Sequence, residues 1–254
     1  MQEQKILGID VGASGIKGAI VNISTGKLET DRLRVETPKP ATPEAMAVAF
    51  AELVKMHNYS GPIGCGFPSI VKKGIALSAA NIDKSWIGVD IAKTFSDASG
   101  CEVYVTNDAD AAGIAEMTFG AGKKKKGTVL LVTLGTGIGT ALFLNRKLVP
   151  NTEFGHVLLH NDIAERYAAS SVRDKLQLSW EEWGSRLNEY LCHIERILSP
   201  DLIIIGGGIS RDFKNYEHLI TTEARVMPAK SLNAAGTVGA ALYAASHLAH
   251  ALAK

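Results

Sequence analysis

Two glycine-rich segments of similar design constrain the fold of this chain most strongly. The first spans residues 7–17 (LGIDVGASGIK) and the second spans residues 131–140 (LVTLGTGIGT). In each, an apolar run typical of a β-strand leads into a tight turn of glycine with serine or threonine, and a second apolar run follows. Glycine permits positive φ and lets an anion approach the backbone N–H groups closely. One glycine hairpin is common in any sheet. Two of them, one in each half, predict a duplicated fold that holds a phosphate donor between its halves.

Composition narrows the class of protein further. The chain has 254 residues and a formal net charge of +1, so one or two domains are possible and no overall charge favours a nucleic-acid or membrane partner. No charged-then-apolar leader opens the sequence, and no apolar run approaches the ~18 residues that span a bilayer. The three cysteines, Cys65, Cys101 and Cys192, are too widely spaced for a disulfide framework or a metal knuckle. We therefore expect a cytoplasmic protein with reduced thiols.

The pattern of elements predicts an α/β architecture. In the first half we expect strands at 5–11, 17–23 and 28–36, and a helix from about 43 to 57. That helix should bury one face, formed by Ala45, Val48, Ala49, Leu53 and Met56. Further along, Val103-Tyr104-Val105 reads as a strand, and an alanine-rich helix runs from Asp108 to about Phe119.

The second half repeats the plan, with strands at 128–134 and 138–144. A helix is expected from Glu165 to about Asp174, and Ser179 with Glu182 forms a capping box for a longer helix that ends before Pro200. The apolar run 202–205 is typical of a central strand. We expect a small N-terminal α/β domain over residues 1–108 and a large α/β domain over 109–238. A C-terminal helix of about 239–254 could pack back on the first domain.

Several polar residues lie where phosphoryl transfer needs them. Asp10 ends the first strand and faces the first glycine turn, so it could hold a hydrated Mg²⁺ against donor phosphates, or simply stabilise the turn. Thr136 and the N–H groups of Gly135 and Gly137 would hold the donor from the other side. Lys17 could reach phosphate or remain solvated.

Asn107-Asp108 follows a strand and opens a helix. Asp108 is either an ordinary helix N-cap or a general base on a sugar hydroxyl, with Asn107 binding a neighbouring hydroxyl. The polar loop 151–156 offers Glu153 and His156 as ligands for vicinal hydroxyls. Those two residues could instead begin a metal site with His160.

Two further charged features stay open on the residues alone. Glu165 is either another hydroxyl acceptor or a first-turn helix acid favoured by the dipole. The run of four lysines at 123–126 is either a solvated turn that protects a strand edge or a docking surface for a long anionic donor.

The residues at 10–17 (DVGASGIK) resemble the opening phosphate motif of the ROK sugar kinases, within the actin/hexokinase-like ATPase superfamily. The resemblance spans nearly the whole chain, and its further motifs occur in family order: Gly66-Phe67-Pro68-Ser69, Ala80-Asn81-Ile82, Asn107-Asp108-Ala109-Asp110, Leu134-Gly135-Thr136-Gly137, Glu153-Phe154-Gly155-His156 and Gly206-Gly207-Gly208. Within the family, the polyphosphate glucokinases are the most similar branch, on the evidence of residues 151–156, 179–191 and 199–202.

The resemblance implies a two-domain, ribonuclease H-like fold with duplicated mixed sheets and a cleft between them. It implies a set of sugar ligands, with Asp108 as the base: Ser69, Asn81, Asn107, Asp108, Glu153, His156 and Glu165. It also implies a set of donor ligands: Gly12, Ala13, Ser14, Gly15, Lys17, Gly135, Thr136, Gly137, Gly207 and Gly208.

Two departures from the family pattern have consequences. The cysteine-rich zinc segment of most ROK proteins has no counterpart between His160 and Glu165, so we expect no zinc. Ala13 stands where a second glycine is usual, and its Cβ could restrict the approach of phosphate.

Taken with the resemblance, these residues predict a glucokinase that transfers a phosphoryl group from polyphosphate, or from ATP, to the 6-hydroxyl of glucose with Mg²⁺. The alternatives are an ATP-dependent ROK hexokinase acting on glucose or mannose, and a non-catalytic sugar-binding regulator. ROK regulators carry an N-terminal helix-turn-helix, for which we expect no room before a first strand that starts at Lys5. The family resemblance implies a homodimer.

Overall fold

Two five-stranded mixed sheets form the framework of the protein. A computed structural model describes residues 4–80, 82–231 and 234–252. These residues form two units. The first contains the described residues up to Ala115 and those from Ala234 onward, and the second contains those from Glu116 to residue 231. The domains predicted from the sequence, 1–108 and 109–238, remain a prediction, because they describe parts of the chain that would fold independently.

The sheet of the first unit combines an antiparallel meander with parallel strands. Its order is β3-β2-β1-β4-β7, with β1 antiparallel to β2 and parallel to β4. The strands of this unit are β1 (Lys5–Gly12), β2 (Gly15–Asn22), β3 (Leu33–Val35), β4 (Ile63–Phe67), β5 (Val71–Lys72), β6 (Ile75–Ala76) and β7 (Val103–Asn107). Its helices are α1 (Pro43–Met56), the 3₁₀ turn Lys84–Trp86, α2 (Ile91–Ser99), α3 (Asp108–Thr118) and, from the C-terminal segment, α7 (Ala235–Leu252).

The period-2 alternation of β1 divides its side chains between two layers. Leu7, Ile9 and Val11 belong to a core that also contains Met46 and Phe50 of α1. Gly8 and Asp10 point to the opposite face, where α7 packs against β1, β4 and β7. At Gly8 and at Gly64 of β4 the helix backbone comes so close that a Cβ would collide with it.

The sheet of the second unit repeats this arrangement. Its order is β10-β9-β8-β13-β14, with β8 antiparallel to β9 and parallel to β13. The strands of this unit are β8 (Thr128–Leu134), β9 (Ile138–Leu144), β10 (Lys147–Val149), β11 (Leu158–Leu159), β12 (Asp162–Ile163), β13 (Leu202–Gly206) and β14 (Arg225–Pro228). The helices of the unit are α4 (Glu165–Ala168), α5 (Ser170–Leu176), α6 (Trp180–Leu198) and the 3₁₀ turns Phe154–His156, Gly208–Asn215 and Glu217–Leu219.

Two predicted features of the second unit are confirmed. Ser179 and Glu182 form the expected capping box at the start of α6, each side chain accepting a hydrogen bond from the other residue's backbone N–H. Every residue of β13 is buried, and the strand lies between β8 and β14 as a central strand should. The apolar face of α6 packs on this sheet through Trp183, Leu187 and Ile194.

Three predictions of the element pattern are wrong. The third strand covers only Leu33–Val35 rather than 28–36, because the preceding residues turn after a single bridge from Leu28 to Val21. The helix expected over 165–174 is two helices, separated at Ala169, whose ψ of 155° is extended. The predicted inner face of α1 is wrong in part: Ala49 and Leu53 are buried as expected, but Val48 is 69% exposed, and Met46 and Phe50 are fully buried.

None of the described helices is long and apolar enough to cross a membrane.

Candidate active site

The glycine hairpin of the first unit is a rigid turn with an exposed tip. Gly12 and Gly15 pair across it, so that only Ala13 and Ser14 form the loop, and both are exposed. Two side chains brace the turn from below. The Thr37 hydroxyl donates to the Gly12 carbonyl oxygen (2.6 Å), and the Arg34 guanidinium donates to the Ser14 carbonyl oxygen (2.6 Å). These two hydrogen bonds therefore hold the backbone of the turn, where we expect a phosphate to bind, in place before any ligand binds.

Asp10 lies on the same hairpin, two residues before Gly12 and opposite Lys17 on β2. Its carboxylate is packed between two glycines: a Cβ on Gly236, in the first turn of α7, would lie 2.9 Å from each carboxylate oxygen, and one on Gly66 would lie 3.9 Å from Oδ1. Burial raises the pKa of Asp10, and the charges of Lys17 and Arg32 act in the opposite direction. A cation beside this carboxylate would favour its ionised form.

Asn107 and Asp108 stand at the carboxyl end of β7, where α3 begins. The Asn107 side chain is the cap of the helix, because its Oδ1 accepts from the N–H groups of Ala109 (2.9 Å) and Asp110 (3.0 Å). The ordinary N-cap interpretation of Asp108 is thus wrong: Asp108 is the first helical residue, and its Oδ1 accepts from the adjacent Ala109 N–H (2.8 Å). Asp108 is partly exposed, whereas Asn107 is buried.

A loop after β4 supports Asn107 from the other side. The Asn107 amide donates to the Ser69 carbonyl oxygen (3.1 Å). The buried Ser69 hydroxyl donates to the carbonyl of Ser78 (2.7 Å), which holds the loop closed. In this structure Ser69 therefore positions Asn107, and its contact with a sugar remains a prediction. Asn81, the other expected sugar ligand of this segment, lies outside the described residues.

The hairpin of the second unit is held by α4 and α5. The Gly135 N–H donates within the turn, to the Gly137 carbonyl oxygen (3.0 Å), and the Ser171 hydroxyl donates to the Thr136 carbonyl oxygen (2.7 Å). Gly207 follows the neighbouring strand β13 with a φ of +83°, and a Cβ there would collide with the Leu134 carbonyl. The carboxyl ends of β8 and β13 thus bring residues 135–137 and 207–208 to one edge of the sheet.

Glu153, His156 and Glu165 form one cluster at that edge. His156 lies between the two carboxylates, with Nδ1 3.7 Å from Glu153 Oε2 and Nε2 3.6 Å from Glu165 Oε1. Glu165 also accepts from the N–H of Ile138, directly after the glycine turn (3.2 Å). Burial and the Glu165 carboxylate raise the pKa of Glu153, and His156 opposes them. The second unit therefore brings the three expected sugar ligands together and joins them to its glycine hairpin.

Sequence reasoning missed several residues that lie beside these groups or support them. Tyr190 of α6 is fully buried, its hydroxyl has no hydrogen-bond partner among the described residues, and burial with the nearby Glu165 charge raises its pKa. Gly236 could have been suspected, because a glycine in an alanine-rich helix costs about 1 kcal/mol relative to alanine and so suggests close packing. Arg34 and Thr37 carry no local signal of their role.

The residues present fit Mg²⁺ with one protein ligand. Among residues 4–80, 82–231 and 234–252, no group of three or more histidine, cysteine or acidic side chains could hold a metal ion. Mg²⁺ needs no such group, since it commonly keeps several waters and binds through one or two carboxylates and the substrate's phosphates. The Asp10 carboxylate, at the glycine hairpin, would be that protein ligand.

Comparison with known proteins identifies the family. The model of the ROK family matches residues 6–167. The chain belongs to the ROK family. It is 46% identical over 244 residues to the "Polyphosphate glucokinase" of Mycobacterium tuberculosis, covering 96% of this chain and 92% of that protein. It is 44% identical to the "Polyphosphate glucokinase" of Mycobacterium leprae, covering 96% of this chain and 75% of that one.

A solved structure supports the same assignment. The inorganic polyphosphate/ATP-glucomannokinase from Arthrobacter sp. strain KM superposes with a TM-score of 0.93 at 44% identity, covering 96% of this chain and 99% of that one. The expected fold class, α/β with two mixed sheets in the manner of the ROK sugar kinases and the actin/hexokinase-like ATPases, is confirmed.

Proposed function

We propose that this ROK protein is a glucokinase that transfers a phosphoryl group from inorganic polyphosphate, and also from ATP, to the 6-hydroxyl of glucose. The observation that carries the proposal is the 46% identity to a polyphosphate glucokinase over nearly the full length of both chains. The geometry of both units supports it, since each has a braced glycine hairpin and each carries polar groups suited to a sugar.

In this proposal Asp108 is the general base. It takes the proton of the 6-hydroxyl as the oxygen attacks the terminal phosphorus of the donor in line. The helix cap is Asn107, so the Asp108 carboxylate is not needed to start α3. Ser69, Asn81 and Asn107 act with it on the sugar side, and the second unit supplies Glu153, His156 and Glu165. Paired acceptors and donors of this type recognise vicinal hydroxyls.

The donor phosphates are assigned to the two hairpins. Gly12, Ala13, Ser14, Gly15 and Lys17 act from the first unit. The second unit contributes Gly135, Thr136, Gly137, Gly207 and Gly208. Asp10 would hold Mg²⁺ through water. When bound, the ion offsets the charge of the transferring phosphoryl group.

We further propose a cytoplasmic homodimer. The cysteines Cys65, Cys101 and Cys192 are free thiols in the structure, which suits a reducing compartment. The family resemblance is the support for the dimer. Mannose is a second candidate acceptor, because the similar Arthrobacter protein is named a glucomannokinase.

A donor-by-acceptor assay tests the proposal. The purified protein is supplied with Mg²⁺, with glucose or mannose, and with polyphosphate or ATP at equal phosphoryl concentration. We expect glucose 6-phosphate from both donors, and faster formation from polyphosphate. Turnover with ATP alone would contradict the donor assignment and leave an ATP-dependent hexokinase. Absence of product from every pair would contradict the kinase and favour a sugar-binding regulator.

A further inference from the structure

A run of four consecutive lysines lies directly before strand β8 of the second unit. Lys123, Lys124 and Lys126 are exposed, and Lys125 is partly so. We call residues 120–127 the lysine loop. A lysine run often protects an exposed strand edge from pairing. That explanation does not apply here, because the strand that follows is β8, which is paired on both sides by β9 and β13.

The lysine loop is fixed rather than loosely solvated. The buried Glu116 carboxylate accepts from the Ala121 N–H (2.7 Å) and, on the other side, from the N–H groups of Lys230 (3.1 Å) and Ser231 (2.5 Å). Turn hydrogen bonds join Lys123 to Gly120 and Lys125 to Gly122. The lysine side chains thus project from a backbone whose order is already established, which lowers the entropic cost of binding through them.

A second turn adds cations to the same place. Arg146 follows β9 and donates to the carbonyl oxygens of Met117 (2.8 Å) and Gly122 (3.5 Å), at the base of the lysine loop. Lys147 is next to it and exposed. None of these six cations forms an ion pair with a carboxylate of the described residues. Unpaired like charges held together repel one another, and a bound polyanion would relieve that repulsion.

We infer that the lysine loop, with Arg146 and Lys147, is a second binding surface for long-chain inorganic polyphosphate. The inference rests on the proposed use of polyphosphate as donor. The surface precedes Thr128 and the glycine hairpin follows Leu134, so the length of β8 separates them, ~23 Å for seven residues at 3.3 Å each. A short donor therefore cannot occupy both. A long donor can, and its second contact raises its effective concentration at the hairpin.

Polyphosphate suits this surface better than a nucleic acid does. Proteins that bind single-stranded nucleic acids place aromatic side chains among their cations so that bases can stack. The lysine loop has the sequence GAGKKKKG and contains no aromatic residue. It offers closely spaced ammonium groups only, which match a chain that carries charge and no bases.

The test compares two triple variants that change the net charge equally. One carries Lys123→Gln, Lys124→Gln and Lys126→Gln. The control carries Lys27→Gln, Lys55→Gln and Lys93→Gln, three exposed lysines of the first unit. Binding of end-labelled long-chain polyphosphate is followed by fluorescence anisotropy at several salt concentrations. For the loop variant, we expect weaker binding and a salt slope smaller by about 2, at ~0.7 per phosphate contact. The control should bind as the unmodified protein does.

Kinetics provide the second readout. The loop variant should show a raised KM for long-chain polyphosphate and unchanged KM values for tripolyphosphate and ATP. Equal polyphosphate binding by the two triple variants would overturn the inference, as would tighter binding of single-stranded RNA of matched length by the unmodified protein. A protein that binds polyphosphate through these lysines and uses only ATP would contradict the proposed donor and support the surface.

Discussion

Asn107 and Asp108 are adjacent in the chain and divide two tasks between them. Asn107 accepts from two N–H groups at the start of α3 and donates to the Ser69 carbonyl oxygen, so it is the helix cap, whereas Asp108 is the first residue of the helix. An N-cap is worth ~1 kcal/mol of stability, and a general base is worth ~10²–10⁴ in rate. The two residues should therefore be separable by experiment.

We expect Asp108→Asn to lower kcat by roughly 10²–10⁴-fold, because the amide cannot accept the hydroxyl proton. Its melting temperature should stay close to that of the unmodified protein. Asn107→Ala is the matched comparison and should lower the melting temperature, since it removes the cap. Steady-state kinetics and thermal unfolding of both variants check this. A near-normal kcat for Asp108→Asn would remove Asp108 from the role of base.

Gly236 and Asp10 form a second pair, from segments far apart in sequence. A Cβ on Gly236 would lie 2.7 Å from the Asp10 carboxylate carbon, closer than side chains pack. Alanine favours a helix by about 1 kcal/mol over glycine, whereas overpacking costs typically ~1–3 kcal/mol. We therefore expect Gly236→Ala to displace the carboxylate and to weaken use of the donor.

A double-mutant cycle isolates that contact. In an Asp10→Ala background the new methyl group meets no carboxylate, so Gly236→Ala should become neutral or stabilising there. Urea unfolding of the four proteins should give a coupling free energy of ~0.5–3 kcal/mol. Additive effects would show that the close approach of Gly236 does not constrain Asp10.

At the scale of elements, the loop from Asn151 to His156 brings a carboxylate into a partly buried position. Burial and Glu165 raise the pKa of Glu153 above its ordinary value of 4.5. As the pH rises through 4.5, Glu153 ionises in the unfolded chain before it ionises in the folded protein. The free energy of unfolding therefore falls until the pH passes the folded-state pKa, and it stays lower at higher pH. Glu153→Gln removes this loss.

Glu153→Gln should therefore raise the melting temperature at pH 7.5 and have a smaller effect at pH 4. Glu29 provides a control of opposite sign, because hydrogen bonds from Lys5 and Asn22 lower its pKa. Glu29→Gln should give no increase at pH 7.5. Thermal scans of the two variants at both pH values check the prediction. Equal melting temperatures of Glu153→Gln and the unmodified protein at pH 7.5 would contradict it.

The elements also show what local sequence determines. The hairpins, the capping box of α6 and the central strand β13 follow from patterns within a few residues, and the structure confirms them. The break at Ala169 does not, because Ala168 and Ala169 themselves favour a helix. There the Trp183 indole donates to the carbonyls of Ala168 and Ala169 (3.1 Å each), a contact from a distant helix that no local pattern encodes.

For the candidate site, as for the fold, the sequence predicts some residues and not others. Residues beside the glycine turns could be proposed from their position after strands, and the family resemblance added roles to them. Most of their supports could not, because Arg34, Thr37 and Ser171 act through contacts with residues far away in sequence. For α1, apolar residues occur on more than one face, and the large Met46 and Phe50 decided which face is buried.

At the scale of the whole molecule, the first unit is built from both ends of the chain. Helix α7 returns after the second unit and packs against β1, β4 and β7. Gly8 and Gly64 admit its backbone to the sheet, and a Cβ on Gly64 would collide with the Ala240 carbonyl. The C-terminal helix therefore packs directly on the sheet that carries Asp10 and Asn107.

Gly64→Ala should destabilise the first unit strongly. The strand β4 is fixed between β1 and β7, so it cannot move away from α7, and the collision is with backbone rather than with a flexible side chain. We expect the free energy of unfolding to fall by about 3 kcal/mol, at the upper end for overpacking, and the melting temperature to fall by ~6–12 °C for a chain of this size.

Gly66→Ala, in the same strand, is the matched control. Its Cβ would lie 3.3 Å from the Ala111 Cβ, a tight contact that a small shift relieves. Thermal and urea unfolding of both variants check the prediction. Equal losses of stability in Gly64→Ala and Gly66→Ala would contradict it, because they would show that β4 can shift away from α7.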